Sequence, residues 1–125
     1  MKGENVANNA SCILRLDFIT SDSPVLLRNK EYLEYTFKKY IDWAATKNVP
    51  LYMGEFGAGE HCFENNKGGL QFVEDMVSIA KTENIHFTYH AYHENSFGLY
   101  KGYGTLPNLN NANQPLIDLF TRLLN

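Results

Sequence analysis

The sequence predicts an α/β fold in which parallel strands alternate with helices. Three apolar, strand-like stretches and three stretches of helical periodicity follow one another in alternation along the 125 residues. Each connection between two strands is long enough to hold a helix, and so to return the chain in a right-handed parallel crossover. Parallel sheets are covered on both faces, which suits strands as apolar as these. The length suits one domain, spanning residues 1–125.

The first predicted strand covers residues 12–19. Leu14, Leu16 and Phe18 share one face of it, as a side-chain period of two requires. The polar, asparagine-rich residues 1–10 are expected to be disordered. Residues 20–24 contain serine, aspartate and proline and predict a turn-rich connection to the first helix.

The first predicted helix covers residues 29–47. Asn29 fits its N-cap, and Asn48 followed by Pro50 fits its end. Apolar residues at helical spacing predict the buried stripe, which contains Leu33, Phe37, Tyr40, Ile41 and Ala44. Charged residues are expected toward the opposite side, namely Lys30, Glu34, Lys38 and Asp42.

The second predicted strand carries the most distinctive acid of the chain. Residues 49–54 alternate as in a buried strand, and Glu55 follows them, framed by Gly54 and Gly57. Glycine permits close approaches that other residues resist, so this framing suits a carboxylate presented to a ligand at the end of a stiff strand. The alternative interpretation is a strand that ends in a glycine turn with a solvated glutamate.

The remaining elements complete the alternation. A glycine-rich loop over residues 57–69 leads to a helix over residues 70–82, and a strand is predicted over residues 85–92. After an irregular stretch, Asn113 is the predicted cap of the last helix, with Pro115 in its first turn. The apolar faces of these two helices contain Leu70, Val73, Val77, Ala80, Leu116, Leu119, Phe120 and Leu123.

The composition argues against several classes of partner. The net charge of −3 gives no broad basic field for nucleic acid or anionic lipid. No apolar run is long enough to cross a bilayer, and the first residues lack the apolar core of a signal peptide. We therefore expect no nucleic-acid or membrane partner, and the compartment stays open. Cys12 and Cys62 could pair, although Cys12 also suits a small buried position.

Polar and aromatic residues follow the last two predicted strands. Because parallel strands end at the same edge of a sheet, Glu55 should meet the cluster that begins near His90 there. Aromatic rings can cover the flat C–H faces of sugars, while imidazole, phenol and carboxylate groups bind the hydroxyls. The alternative is that the aromatic side chains pack under a loop. The cluster contains Tyr89, His90, Tyr92, His93, Glu94, Phe97, Tyr100 and Tyr103.

The residues around Glu55 resemble a known family. The stretch Val-Pro-Leu-Tyr-Met-Gly-Glu-Phe-Gly at residues 49–57 is similar to the last-but-one barrel strand of glycoside hydrolase family 5, the retaining cellulase and mannanase family. The resemblance continues through His-Phe-Thr-Tyr-His at residues 86–90 and Phe-Gly-Leu-Tyr at residues 97–100. It implies the C-terminal βα units of a (β/α)8 TIM barrel, with about three parallel strands and three helices in this chain.

The resemblance also implies an activity. A member of this family would be a retaining endo-β-1,4-glycanase, similar to endoglucanases and cellulases, and Glu55 matches its catalytic nucleophile. The substrate would be a β-1,4-linked plant polysaccharide or oligosaccharide, and the parent enzyme would be secreted. No cofactor and no metal are implied, since two carboxylates and water suffice. The expected substrate-binding residues are His90, Tyr92, His93, Glu94, Phe97 and Tyr100.

Two features depart from the family pattern. A whole barrel takes about 250 residues, and the family's acid/base motif, Asn-Glu-Pro, does not occur in this sequence. A retaining mechanism needs a second carboxyl group about 5–5.5 Å from the first, and the nearby candidates are Asp17, Glu60 and Glu94. We therefore expect the chain to act with a missing N-terminal barrel portion or to associate with itself, and to be inactive without such a partner.

Other functions fit parts of the pattern. A zinc site could draw on His86, His90 and His93, together with Glu94 and the adjacent His61 and Cys62. A non-catalytic carbohydrate-binding module would need the aromatic residues but not Glu55. A purely structural barrel portion would need neither.

Overall fold

The computed structural model describes residues 29–102 and 104–125. Along them follow α1 (Lys30–Lys47), β1 (Tyr52–Phe56), a short 3-10 helix (Glu60–Phe63), α2 (Gly69–Thr82), β2 (His86–Tyr89) and α3 (Gln114–Leu124). The two strands pair in parallel, so the predicted α/β architecture is confirmed for this part of the chain. The strand predicted at 12–19, the disordered residues 1–10 and the turn at 20–24 lie outside the described residues, as do Cys12, Asp17 and Tyr103.

The helix ends follow the predicted capping chemistry in α1. The Asn29 side chain accepts a hydrogen bond from the backbone N–H of Tyr32 at 3.1 Å, which satisfies a donor that the first turn leaves without a partner. Asn48 closes the helix in the left-handed conformation, with φ of 52°. Asn113 also stands at the N-cap of α3, but its side chain makes no capping hydrogen bond.

The helices cover one face of the two-stranded sheet. The Phe56 ring of β1 meets the rings of Phe87 and Tyr89 of β2 edge to face, at centroid distances of 5.6 and 5.4 Å. Fully burying an aliphatic side chain contributes about 1.5–3 kcal/mol, and Val73, Val77 and Leu116 are fully buried. The apolar faces predicted for α2 and α3 therefore belong to this core, and α2 adds Phe72, Met76 and Ile79, which the predicted face did not include.

The other face of the sheet is open. Tyr52, His86 and Thr88 are all exposed, and the Tyr52 hydroxyl forms a hydrogen bond with Thr88 Oγ1 across the two strands. Polar side chains thus line one face of the sheet and apolar side chains the other. A parallel sheet is normally covered on both faces. In the part of the chain that the structure describes, no element covers this polar face.

α1 differs from its predicted pattern in two ways, in the exposure of Tyr40 and in the location of its charged residues. Leu33 and Ala44 are buried as predicted, but Tyr40 is 52% exposed, so its assignment to the buried stripe is wrong. The charged residues lie beside α2 rather than opposite the core. Lys30 Nζ donates to Ser78 Oγ of α2 at 2.9 Å, and the groove between the helices is lined by Glu34, Lys38, Asp42 and Glu83, together with Tyr35, Ile41 and Ile79.

β1 contains a bulge next to Glu55. Met53 pairs with Phe87 and Phe56 pairs with Tyr89, so β1 has one residue more than β2 between these pairs. Strict alternation would place Glu55 on the same side as Met53, which packs against the core. The additional residue lets Phe56 take that side instead, and Glu55 is left exposed to solvent.

β2 is shorter than the strand predicted over residues 85–92. It ends at Tyr89, and only the N–H of His90 still donates to β1, at the Phe56 carbonyl, at 2.8 Å. The chain then pairs with its own continuation, because Ala91 O accepts from Leu99 N at 2.8 Å and Tyr92 O accepts from Tyr100 N at 3.0 Å. Residues 90–102 therefore form a loop above the strand ends.

Two further findings concern the whole described region. Cys62 is buried and disulfide-bonded. None of the helices within residues 29–125 combines the length and the hydropathy that crossing a lipid bilayer would need.

Candidate functional site

The carboxyl ends of β1 and β2 meet closely at Gly57. A side chain added at Gly57 would place its Cβ 2.2 Å from the carbonyl oxygen of His90, which is far inside van der Waals contact. Only glycine lets the two backbones approach this closely. The two motifs that the sequence places after the strands, one around Glu55 and one around His90, are thereby brought to the same edge.

Aromatic rings stand directly above this contact. The rings of His90 and Phe97 are 5.8 Å apart at 53°, and Phe97 Cδ1 would lie 3.5 Å from a Cβ at Gly57. A second pair, Tyr92 and Tyr100, meets edge to face at 5.4 Å. Tyr92 is 63% and Phe97 is 38% exposed, so both pairs present apolar surface to solvent.

Two loops join to form the rim of the site. We use "rim" for residues 57–63, after β1, and residues 90–102, after β2. The backbone N–H of Glu60 donates to Ser96 O at 2.7 Å, and the Glu60 carboxylate pairs with the Lys101 ammonium. Sequence analysis missed Lys101, because only the folded chain brings it next to an acid 41 residues earlier.

His93 and Glu94 are engaged within the rim. The imidazole Nε2 of His93 lies 2.8 Å from Gly102 O and 3.3 Å from Lys101 O. Since carbonyl oxygens only accept, Nε2 carries the proton in this arrangement. Glu94 Oε2 accepts from the backbone N–H of Phe97 at 2.7 Å. Both side chains support the loop, and their predicted contacts with substrate stay predictions.

The Glu55 carboxylate is available to a ligand. The side chain is exposed, and among residues 29–102 and 104–125 it has no hydrogen-bond or ion-pair partner. The predicted second carboxyl groups are less available, since Glu60 pairs with Lys101 and Glu94 binds the Phe97 amide. Asp17 lies outside the described residues. The described part of the chain thus offers one unpaired acid at this edge.

Tyr89 packs in the core and does not join the exposed part of the predicted cluster. Its ring contacts Phe56 and Phe120 on the helix-covered side of the sheet. Its hydroxyl is buried and finds no hydrogen-bond partner within the described ranges. Burial raises the pKa of Tyr89 to about 12, although the polar backbone of Ala58 acts in the other direction and lowers this pKa.

The histidines do not gather as a metal site would require. Within the residues that the structure describes, no group of three or more His, Cys, Asp or Glu side chains converges. His86 lies on the open face of the sheet, His93 donates into the rim, and Cys62 is disulfide-bonded. These positions give the zinc interpretation no support.

Comparison with solved structures gives the same fold. A hyperthermophilic endo-β-1,4-glucanase in complex with substrate is 24% identical, with a TM-score of 0.57 over 72% of this chain and 26% of that one. Thermotoga maritima Cel5A in complex with cellobiose is 16% identical, with a TM-score of 0.59 over 92% of this chain and 36% of that one. Cel5A with mannotriose gives a TM-score of 0.57 at 17% identity, over 84% of this chain and 33% of that one.

The likeness shows the fold. These proteins are TIM-barrel glycoside hydrolases, and the chain spans between about a quarter and about a third of their length. No protein-family model matches the chain, and no curated protein matches it. The chain is therefore similar to one part of such a barrel.

Proposed function

We propose that the chain supplies the nucleophile-bearing part of a retaining endo-β-1,4-glycanase, and that Glu55 is the nucleophile. The observation that carries this proposal is the unpaired Glu55 carboxylate, exposed beside a bulge at the carboxyl end of β1. Active sites of (β/α)8 barrels lie at this end of the strands. The fold shared with endoglucanases supports the substrate class, a β-1,4-linked polysaccharide or oligosaccharide.

The chemistry requires two steps at one carbon. A Glu55 oxygen would attack the anomeric carbon, and the bond from that carbon to the leaving oxygen would break, giving a glycosyl ester of Glu55. Water would then attack the same carbon and release the carboxylate. A second carboxyl group must first protonate the leaving oxygen and later deprotonate the water. We propose that this acid/base belongs to a part of the barrel beyond the described residues.

In this proposal the neighbouring side chains bind the sugars or support the loops. The His90–Phe97 pair would hold the sugar bound next to Glu55, and Tyr92 with Tyr100 would bind the adjoining sugar. Each pair has one exposed ring, Phe97 in the first and Tyr92 in the second. Such rings suit the C–H faces of consecutive β-linked sugars, because burying that surface stabilises a complex. His93 and Glu94 would act chiefly by fixing the rim.

An activated substrate tests Glu55 without the missing acid. A dinitrophenyl 2-deoxy-2-fluoro-β-cellobioside carries a leaving group so acidic that it departs as the anion, without protonation. The fluorine slows hydrolysis of the ester that forms. We expect mass spectrometry to find one glycosyl adduct, attached to Glu55, after incubation with the chain. Glu83→Gln removes another exposed carboxylate, at the end of α2, and should be labelled as the unchanged chain is.

The experiment separates the possible outcomes clearly. Labelling of Glu55 that disappears in Glu55→Gln supports the proposal. Labelling of a different carboxylate, or no labelling where cellotetraose still binds, would remove Glu55 from the nucleophile's role.

A carbohydrate-binding function without turnover is the second candidate. It is favoured by the exposed Tyr92–Tyr100 pair and by the engagement of Glu60 and Glu94 in the rim. In that case Glu55→Gln should keep the affinity for cellotetraose in calorimetry, whereas Tyr92→Ala should lower it by about tenfold.

A further inference from the structure

We infer that a disulfide between Cys62 and Cys12 fixes the rim in the arrangement that binds a sugar chain. Cys62 belongs to the 3-10 helix of the rim and is disulfide-bonded. The sequence contains two cysteines, so Cys12, which lies outside the described residues, is the partner that the chain itself offers. The inference rests on the proposed function only in taking a β-1,4-linked oligosaccharide as the ligand of the rim.

The bonded sulfur of Cys62 is shielded from solvent. Cys62 is 2% exposed, and its Sγ lies 3.7 Å from His61 Nε2. A reductant must attack a sulfur atom directly, so it reaches this one only when the rim opens. The disulfide is therefore a structural crosslink, of the kind that persists in an oxidising compartment.

The 3-10 helix that carries Cys62 has little stability of its own. It consists of four residues, Glu60–Phe63, and the hydrogen bonds of a 3-10 helix have poorer geometry than those of an α-helix. Its N-cap, Gly59, provides no side-chain hydrogen bond. A crosslink at Cys62 supplies a constraint that the local sequence does not.

The same short helix joins the two loops of the rim. The backbone N–H of Glu60 donates to Ser96 O at 2.7 Å, and the Glu60 carboxylate pairs with Lys101. Ser96 directly precedes Phe97, whose ring stands beside that of His90. Because Cys62 follows Glu60 by only two residues, a constraint on Cys62 also restrains the loop that carries the aromatic rings.

The short helix also rests against the start of α2. A Cβ at Gly69, the first residue of α2, would lie 2.7 Å from the Cys62 carbonyl oxygen, so the two backbones are in close contact. This contact positions the backbone of Cys62, while the disulfide ties its side chain to a residue that precedes α1 in the sequence. The rim is thus attached to two distant parts of the chain.

Forming the crosslink oxidises the two thiols. A bond forms between the two sulfurs, and their two hydrogen atoms leave as protons and electrons. A low-molecular-weight disulfide such as oxidised glutathione accepts these and becomes two thiols. In the reverse reaction a dithiol reductant restores both cysteines and is itself converted into a cyclic disulfide. The redox state of these two sulfurs therefore determines how well the rim is ordered.

Peptide mapping tests the pairing of the cysteines. Trypsin cleaves after lysine and arginine, so Cys12 falls in the peptide of residues 3–15 and Cys62 in the peptide of residues 48–67. We expect mass spectrometry of the unreduced monomer, treated with iodoacetamide, to find these two peptides joined and no alkylated cysteine. Free thiols, or a disulfide between two copies of the chain, would overturn the inference.

Hydrogen exchange tests the positioning role. In Cys12→Ser we expect the Glu60 amide to exchange about tenfold faster relative to the amides of α2, because the rim opens while the core stays folded. A loss of global stability alone would accelerate both sets alike, and that result would overturn the inference. Ile85→Ala is the control, since it removes a buried side chain at the end of β2 away from the rim. It should not single out the Glu60 amide.

Sugar binding gives a second measurement. Cys12→Ser, and the unchanged chain refolded in dithiothreitol, should bind cellotetraose about tenfold more weakly than the oxidised chain in calorimetry, whereas Ile85→Ala should bind as the oxidised chain does. Equal affinity of the reduced and oxidised chains would overturn the inference. If the oxidised chain binds no cellotetraose, the proposed function fails, while the exchange of the Glu60 amide still decides the role of the disulfide.

Discussion

Single residues decide how the two strand ends meet. Gly57 has no side chain, and this lets the His90 carbonyl lie where a Cβ would otherwise be. Glu55, two residues earlier, stays exposed because the bulge turns Phe56 rather than Glu55 into the core. The exposure of the Glu55 carboxylate at this edge therefore depends on two neighbours, Phe56 and Gly57, whose side chains are not ionisable.

Replacing Gly57 tests the close approach. Gly57→Ala should lower the free energy of unfolding by about 1–3 kcal/mol, because the new methyl group must displace backbone rather than a flexible side chain. Urea unfolding followed by circular dichroism measures the change. Gly54→Ala is the control, since its Cβ would meet only Tyr52 Cε1, at an ordinary 3.9 Å. Equal losses in both variants would contradict the explanation.

At the scale of elements, the rim is held by contacts between the loops that follow β1 and β2. The Glu60–Lys101 pair and the Glu60 N–H to Ser96 bond join the two loops, and Glu94 fixes the turn that carries Phe97. A loop that carries binding residues must be ordered by such contacts, because its backbone has no sheet to pair with. His93, Glu94 and Glu60 thus serve to build the loops.

Substituting Glu94 separates these two roles. Glu94→Ala leaves the Phe97 N–H without its carboxylate acceptor, so we expect faster hydrogen exchange at this amide and a stability loss of about 1 kcal/mol. Glu94→Gln keeps an acceptor and should preserve most of the protection, as measured by NMR. If Glu94→Gln keeps the turn but loses affinity for cellotetraose, the carboxylate contacts the sugar directly. Unchanged exchange in Glu94→Ala would disprove the structural role.

At the scale of the whole molecule, the residues that the structure describes form one core between the sheet and the helices. That core includes the Tyr89 ring, whose buried hydroxyl has no partner in the described part of the chain. Burying an ionised phenol in this position would cost more free energy than burying the neutral hydroxyl. This is why burial raises the pKa of Tyr89 to about 12.

The raised pKa predicts an alkaline loss of stability. In the unfolded chain Tyr89 should ionise near its ordinary pKa of about 10, whereas in the folded chain it keeps its proton up to about pH 12. The unfolded state therefore binds fewer protons between these values, and the free energy of unfolding falls as the pH rises through them. In Tyr89→Phe, the free energy of unfolding measured with urea should fall less as the pH rises through this range. Tyr35→Phe removes an exposed phenol and should decline as the unchanged chain does.

The alternation of strands and helices, the ends of α1 and the apolar faces of α2 and α3 were predictable from the sequence. They follow from local rules, namely side-chain periodicity and the hydrogen bonding of capping residues, which act between near neighbours. The meeting of Glu55's strand with the His90 cluster was also predictable, since parallel strands end at one edge. The likeness to endoglucanase structures agrees with the architecture, while the roles of Glu55 and the six binding candidates remain predictions.

Only the tertiary structure decided which side chains are available. Periodicity gave no sign of the extra residue in β1, of the end of β2 at Tyr89, or of the ion pair between Glu60 and Lys101. It also placed Tyr40 in the core and the charged residues of α1 away from it, because a helix pattern distinguishes apolar from polar sides but not which neighbour each side meets. The chain by itself determined its elements; packing between elements distant in sequence determined which of their side chains face solvent.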